Sequence, residues 1–159
     1  MADSVLLIAQ MVSVLLLAAW LTLGLRDNIL HPDLNAQITA DVMAMTRMEH
    51  EFPDQFQLVA HRAIRDSRVQ TLAFRLVLVA ESVAMVLLWL GAGAIALSLA
   101  GSGGGTALAL MGALCFTAIW AGFLVVGNHF CYWYCHDGAQ TTHYHMTLWG
   151  LGTMILLAL

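Results

Sequence analysis

Four long apolar stretches alternate with polar segments along the chain and cover about residues 4–25, 70–98, 106–128 and 141–159. A helix needs roughly 20 apolar residues, at about 1.5 Å per residue, to cross a bilayer. We therefore predict an all-α fold: one membrane domain, residues 1–159, built as a four-helix transmembrane bundle. The second stretch is longer than one bilayer thickness, which predicts a helix that is tilted or projects beyond the hydrocarbon.

The connection between the first two predicted spans, residues 26–69, is polar but amphipathic. The His31-Pro32 pair breaks the first helix, since proline disfavours helical backbone in the residue before it. Asn35 is the predicted N-cap of a short helix over about 36–49. One apolar stripe follows helical spacing along this helix, at Ile38, Val42 and Met45. Such a pattern is typical of a helix that lies in the membrane interface.

Two further signals complete this amphipathic, partly helical connection. The Phe52-Pro53 pair ends the short helix, and a second amphipathic piece follows over about 54–64. Ser67, with Gln70 three residues later, resembles a capping box and therefore predicts where the second transmembrane helix begins.

Successive spans cross in opposite directions, so the connections after the first and third spans emerge on the same side of the membrane. All seven histidines, all six arginines and two of the three cysteines lie toward this side. The opposite side has only an uncharged turn over 101–105 and two nearly uncharged termini. We therefore expect any chemistry or recognition to take place on the first side, which we call the polar side.

Composition excludes several classes of protein. Hydrophobic residues make up 60% of the chain and charged residues 10%, far outside the range of soluble globular domains. The chain has no lysine and no basic stripe, and its formal net charge is −4, so nucleic acid is not an expected partner. The first residues lack a positive region and a small-residue cleavage pattern, which predicts a retained span rather than a signal peptide.

Two ionisable residues fall inside the predicted second span. Arg75 lies about two turns into the helix, from where its guanidinium can reach back to the interface. Glu81 lies deeper, where a charge is costly, so we expect this carboxyl to be protonated, hydrogen-bonded or paired. It is either a proton-handling or ligand-holding group, or a neutral acid bonded to another helix that fixes the bundle.

The densest collection of chemical groups follows the third span. The candidate metal ligands are His129, Cys131, Cys135, His136, His143, His145 and Met146. If the third helix continues through residue 136, Cys131 and Cys135 lie one turn apart on one face. Thiolates with imidazoles and a thioether form a soft ligand set suited to copper or zinc. Histidine pairs from different helices also ligate haem b in helical bundles.

Other interpretations of this segment need no metal. In one, aromatic residues form an interfacial belt, with the histidines and cysteines as ordinary polar groups at its level; the belt residues are Phe130, Tyr132, Trp133 and Tyr134. In another, Cys131 and Cys135 are redox-active thiols. A disulfide between them is not expected in a regular helix, because the i, i+4 separation is near the upper geometric limit. Cys115, alone in mid-helix, is predicted to lie in the core.

Motifs along nearly the whole chain resemble those of a known family. In the first half they are Asn28-Ile29, Asn35, Val42, Met45, Phe52-Pro53, Arg62-Ala63-Ile64 and Glu81. In the second half they are Gly127-x-x-Phe130, Trp133 and Asp137-Gly138-x-Gln140. This pattern resembles the uncharacterised family of predicted small integral membrane proteins, and the resemblance implies fold and topology but no activity. The chain departs from the family pattern at His31, Asp41, His129, Cys131, Cys135 and His136.

Two arguments give opposite orientations. The five arginines of the first connection would place it in the cytoplasm by the positive-inside rule. The family resemblance instead implies cytoplasmic termini, and hence a periplasmic polar side. We expect a multi-pass protein of the bacterial inner membrane in the family orientation.

Three functions fit these observations. The first is an accessory or structural subunit of a larger respiratory or other redox membrane complex, without catalytic activity of its own. Its partners would be lipid and other membrane subunits, with close helix contacts at small residues such as Gly91, Ala92, Gly93 and Ala94. The second is a copper- or haem-binding membrane protein that uses the histidines and cysteines of the polar side. The third is a small transporter or channel, for which Glu81 alone provides no polar path.

Overall fold

A computed structural model describes residues 2–159, and within this range the chain is helical and has no strand. The prediction of an all-α fold is therefore confirmed. The helices are α1 (Ala2–Leu30), α2 (Pro32–Ala44), α3 (Thr46–Glu51), α4 (Pro53–Val59), α5 (Ser67–Leu99), α6 (Ala107–His129) and α7 (Asp137–Leu157), with single 3-10 turns at Ala60–Arg62 and Tyr132–Tyr134.

The four long helices pack side by side. Helix α5 contacts α1 and α6, and α7 contacts α6 and α1, so the helices form a closed ring. Their shared core includes the fully buried side chains of Val14, Leu17, Leu21, Leu88, Ile95 and Phe116. At the end away from the polar side, two hydrogen bonds join α1 to α7. Gln10 donates to the carbonyl of Leu156 at 2.9 Å, and the hydroxyls of Ser13 and Thr153 lie 2.8 Å apart.

Three helices, α1, α5 and α6, are long and apolar enough to cross a membrane. The predicted fourth span, 141–159, corresponds to α7, which packs as a full member of the ring. Its first half carries polar side chains, including His143 and His145, and α7 is not among the three candidate spans. A fourth crossing therefore stays a prediction.

Helices α5 and α6 approach each other closely through glycine. Gly91 lies directly against Ala109, and a Cβ on Gly112 would lie 2.8 Å from the backbone nitrogen of Leu88. Gly91 and Ala92 are thus buried within the chain, whereas Gly93 has open space beside it. Half of the predicted small-residue face therefore serves the chain's own packing.

The connection between α1 and α5 differs from the prediction in its details. Helix α2 begins at Pro32, so Asn35 is not an N-cap, and proline occupies a first-turn position where its missing N–H is not needed. Met45, with φ of 55°, lies in the left-handed region and divides the predicted 36–49 helix into α2 and α3.

The start of α5 also differs. Its N-cap is Asp66, whose carboxylate accepts from the backbone N–H of Arg68 at 2.8 Å. The Ser67–Gln70 capping box is therefore wrong. The Gln70 side chain instead donates to the carbonyl of Ile64 at 2.8 Å.

The third predicted helix does not continue through residue 136. Helix α6 ends at His129, and Cys131 takes a left-handed conformation with φ of 53°. A 3-10 turn over Tyr132–Tyr134 then separates Cys131 from Cys135. The two cysteines therefore flank a tight turn and do not share a helix face.

Candidate functional site

The two connections on the polar side dock onto each other. Their shared apolar cluster consists of the buried side chains of Met45, Met48, Phe56, Phe130, Cys131 and Cys135. The rings of Phe52 and Tyr134 also meet across the two connections, with centroids 5.1 Å apart. We call the combined unit, residues 32–66 with 130–136, the platform. Its formation confirms that the first and third connections lie on one side of the bundle.

Two arginines of the first connection bind backbone carbonyls at the end of α6 and in the turn that follows it. Arg62 donates from Nη1 to the carbonyl of His129 at 3.4 Å and lies 3.7 Å from Sγ of Cys131. Arg47 donates to the carbonyl of Cys135, and its Nε lies 3.1 Å from Glu51 Oε1. Because the last carbonyls of a helix have no partner within the helix, a cation at the end of α6 is well placed. These arginines hold the platform together.

Both platform thiols are buried, and the three cysteines of residues 2–159 are unpaired. Burial raises the pKa of the Cys135 thiol; nearby Glu51 raises it further, and Arg47 opposes this. Burial lowers the pKa of the neighbouring His136 imidazole, as does Arg47, while Asp41 and Glu51 act in the opposite direction. The environment therefore favours the neutral forms of both side chains.

The structure disperses the predicted metal ligands. His129 is exposed and packs its ring against Phe130, with centroids 5.0 Å apart, and His145 is also exposed. Met146 packs against the bundle core, away from the platform thiols. Within residues 2–159, no three His, Cys, Asp or Glu side chains are placed to hold one metal ion. Cys115 packs against the edge of the core.

Glu81 belongs to a polar chain that links three helices. Asn28 on α1 donates from Nδ2 to Glu81 Oε2 on α5 at 3.3 Å, and Asn35 on α2 donates to Oδ1 of Asn28. Glu81 and Asn28 are both buried. Glu81 is thus hydrogen-bonded to a side chain of another helix, which is one of the alternatives that the sequence left open. Arg75 is exposed on α5 and lines an open groove together with Ser67 and Arg68.

His143 lies in a group of aromatic rings that no sequence pattern indicated. Its imidazole centroid is 4.9 Å from that of Phe123, 5.4 Å from that of Trp120 and 6.0 Å from that of Tyr132. The ring of Tyr132 lies across Gly127, where a Cβ would come within 2.8 Å of three ring atoms. We call these four side chains, Trp120, Phe123, Tyr132 and His143, the His143 cluster.

Three buried polar atoms of this cluster have no hydrogen-bond partner among the residues that the structure describes. They are Trp120 Nε1, Tyr132 Oη and His143 Nδ1. Burial raises the pKa of the Tyr132 phenol, as does nearby Tyr144, so the hydroxyl stays a donor. A tryptophan and a histidine on successive predicted spans were visible in the sequence. Their meeting depends on how α6 and α7 pack, and Tyr132 joins them only through the turn after α6.

Comparison with known proteins bears on the chain as a whole. No curated protein and no solved structure matches it. One family model, described as predicted small integral membrane protein, matches residues 6–159. The match covers nearly the whole chain, and the protein therefore belongs to the family of predicted small integral membrane proteins, domain of unknown function 2165.

Proposed function

We propose that this small integral membrane protein is a non-catalytic accessory subunit, and that its platform docks onto another integral membrane subunit. The observation that carries the proposal is a platform whose two connections are held together by contacts and whose surface has large apolar side chains. Trp133 is 44% exposed, Tyr134 38% and Leu58 78%. Exposed aromatic side chains on a pre-ordered surface are favourable anchors for a partner, because little conformational freedom is lost on binding.

The charged groups of the platform support a structural role. Arg62 binds a carbonyl at the end of α6, Arg47 binds one in the neighbouring connection, and Arg65 pairs with Glu49 at 2.7 Å. These contacts fix the shape of the platform. Its surface is thereby ordered before any partner binds, which suits a subunit that positions others.

The location of the aromatic side chains favours a partner inside the same membrane. Trp133 and Tyr134 directly follow α6, one of the three candidate spans, so they lie near the level of the bilayer interface. A membrane subunit that docks there would cover both the platform and the adjoining helix surface. That this complex is a respiratory or other redox assembly stays a prediction.

The protein solubilised from membranes in mild detergent tests this proposal on a native gel. We expect a band far above the 17.3 kDa monomer, and Trp133→Ala should shift this band downward. The matched control is Leu97→Ala, a similarly exposed apolar residue near the other end of α5, which should leave the band in place. A wild-type band of a lone monomer carrying stoichiometric copper or haem would overturn the proposal and favour the metal-binding alternative.

We further propose that the protein lies in a bacterial inner membrane with a fourth crossing at α7 and the platform in the periplasm. Cys131 and Cys135 are too buried to report sidedness, so cysteines introduced at exposed positions are needed. Gln57→Cys on α4 should react with an impermeant maleimide in intact cells, and Ser102→Cys on the opposite turn only after lysis. The reverse pattern would place the platform in the cytoplasm, and equal access to both would contradict the ring of crossings.

A further inference from the structure

The His143 cluster contains three polar atoms for which residues 2–159 provide no hydrogen-bond partner. Trp120 is 7% exposed and Tyr132 3%, so water on the outer surface does not reach their polar atoms. A buried donor or acceptor without a partner is destabilising, and buried side-chain polar atoms are for that reason nearly always hydrogen-bonded. Three such atoms lie on three different elements, α6, the 3-10 turn and α7, and the side chains that carry them pack against one another at His143.

The chemistry of the three atoms defines what they can bind. The indole N–H of Trp120 can only donate, the hydroxyl of Tyr132 can donate or accept, and Nδ1 of His143 can do either according to its tautomer. A partner must therefore offer an acceptor to the indole, and an oxygen atom is the group that accepts from two donors at once. No charged side chain is in the His143 cluster, so a neutral ligand suits it.

Space restricts the ligand further. The imidazole already contacts its neighbours, with ring centroids 4.9–6.0 Å apart. A second ring does not fit among them, so the atom that binds must belong to a small group or to the edge of a larger one. His143 itself is only partly buried, so it connects the interior of the cluster with the outer surface of α7.

We propose that the His143 cluster is a binding site for the oxygen atom of a small neutral ligand, held by Trp120 and Tyr132 and oriented by His143. Two sources supply this chemistry: an internal water molecule, or the carbonyl oxygen of a membrane-soluble ring compound of the quinone class whose ring stays outside the cluster. A water molecule with three polar partners is a common internal component of proteins. The site shares Tyr132 with the platform but uses none of its exposed side chains, Leu58, Trp133 and Tyr134.

The first test measures whether removal of the Tyr132 hydroxyl lowers or raises the melting temperature. Tyr132→Phe removes only the hydroxyl, so with an oxygen bound the melting temperature in detergent should fall by roughly 2–4 °C. Tyr144→Phe, on α7 with an exposed side chain, is the matched control and should leave it unchanged. If the Tyr132 hydroxyl is unpartnered, its removal relieves a cost, and an unchanged or higher melting temperature would overturn the proposal.

A second measurement distinguishes the two sources. Duroquinone is a suitable probe because its fully substituted ring does not add to the cysteine thiols. A ring carbonyl as ligand predicts that duroquinone raises the melting temperature of the wild type but not of Tyr132→Phe. Water as ligand predicts no effect of duroquinone and an exchange cross-peak between water and the Trp120 indole proton, assigned with Trp120→Phe. Neither effect, with an indole shift typical of a free N–H, would overturn the proposal.

Discussion

Asn28 and Glu81, 53 positions apart in the chain, form a buried hydrogen bond of 3.3 Å that joins α1 to α5. The amide of Asn28 is also the acceptor for Asn35, so one side chain connects the first helix, the first helix of the platform and the membrane interior. Hydrogen bonds between polar side chains on different helices hold membrane bundles together where lipid surrounds them.

Replacing Asn28 by Ala should destabilise the protein, because it leaves the buried Glu81 carboxyl without its partner. We expect a loss of about 1–3 kcal/mol in the free energy of unfolding, measured in detergent. Asn128→Ala, at an exposed position, is the matched control and should stay near wild type. Glu81→Gln should also stay near wild type, because an amide oxygen accepts the same hydrogen bond. Strong destabilisation by Glu81→Gln would instead indicate that the bundle needs a charged carboxylate.

Arg62 should protect the Cys131 thiol, because its guanidinium lies 3.7 Å from Sγ and links the two halves of the platform. In a background with the other two cysteines replaced by alanine, Arg62→Ala should raise the rate of maleimide labelling of Cys131 at least several-fold. Exposed Arg68→Ala is the control. Equal labelling rates in the two variants would show that the platform stays closed without Arg62.

Gly127→Ala should displace the ring of Tyr132, since the added Cβ would lie 2.8 Å from three of its atoms. Overpacking of this kind costs about 1–3 kcal/mol. Gly122→Ala, on the same helix with open space beside it, should be neutral or stabilising by up to about 1 kcal/mol, because alanine is the better helix former. Thermal unfolding of the pair measures the difference. A neutral Gly127→Ala would contradict the packing of Tyr132 on α6.

Lowering the pH should weaken the platform through His136. Its pKa in the folded protein lies below the ordinary value of 6.5, so the unfolded chain binds the proton first as the pH falls. The contribution of the neutral imidazole is fully present above pH 6.5 and is lost as the pH falls toward the folded pKa. His136→Asn should flatten the dependence of melting temperature on pH in this window, whereas exposed His145→Asn should not. An unchanged slope in His136→Asn would assign the dependence to other groups.

The succession and approximate positions of the long helices could be predicted, because bilayer thickness restricts where apolar stretches begin and end. The meeting of the two connections followed from the alternation of crossings alone. The breaks at Met45 and Cys131 could not be predicted, because both are non-glycine residues in a left-handed conformation, which their side chains do not favour. Tertiary contacts hold them there: both side chains are buried in the apolar cluster of the platform.

The candidate site could be predicted only in part, because its contacts join residues that lie far apart in the sequence. Glu81 was visible as a charge in an apolar stretch, but its partner Asn28 lies at the far end of another helix, and no local pattern joins them. The metal hypothesis depended on a helix continuing through residue 136. Because α6 ends at His129, the turn that follows directs Tyr132 onto Gly127 and separates the two cysteines.

The hydrogen bonds from Gln10 and Ser13 to the last helix have a consequence for biosynthesis. Their partners, Leu156 and Thr153, leave the ribosome 146 and 140 residues later, respectively. Until then α1 carries two polar side chains in a hydrophobic surrounding without these partners, which is costly in lipid. The first helix therefore lacks these two hydrogen bonds until α7 has been synthesised. A chain that stalls before α7 would expose the polar side chains of Gln10 and Ser13 to the membrane's quality-control proteases.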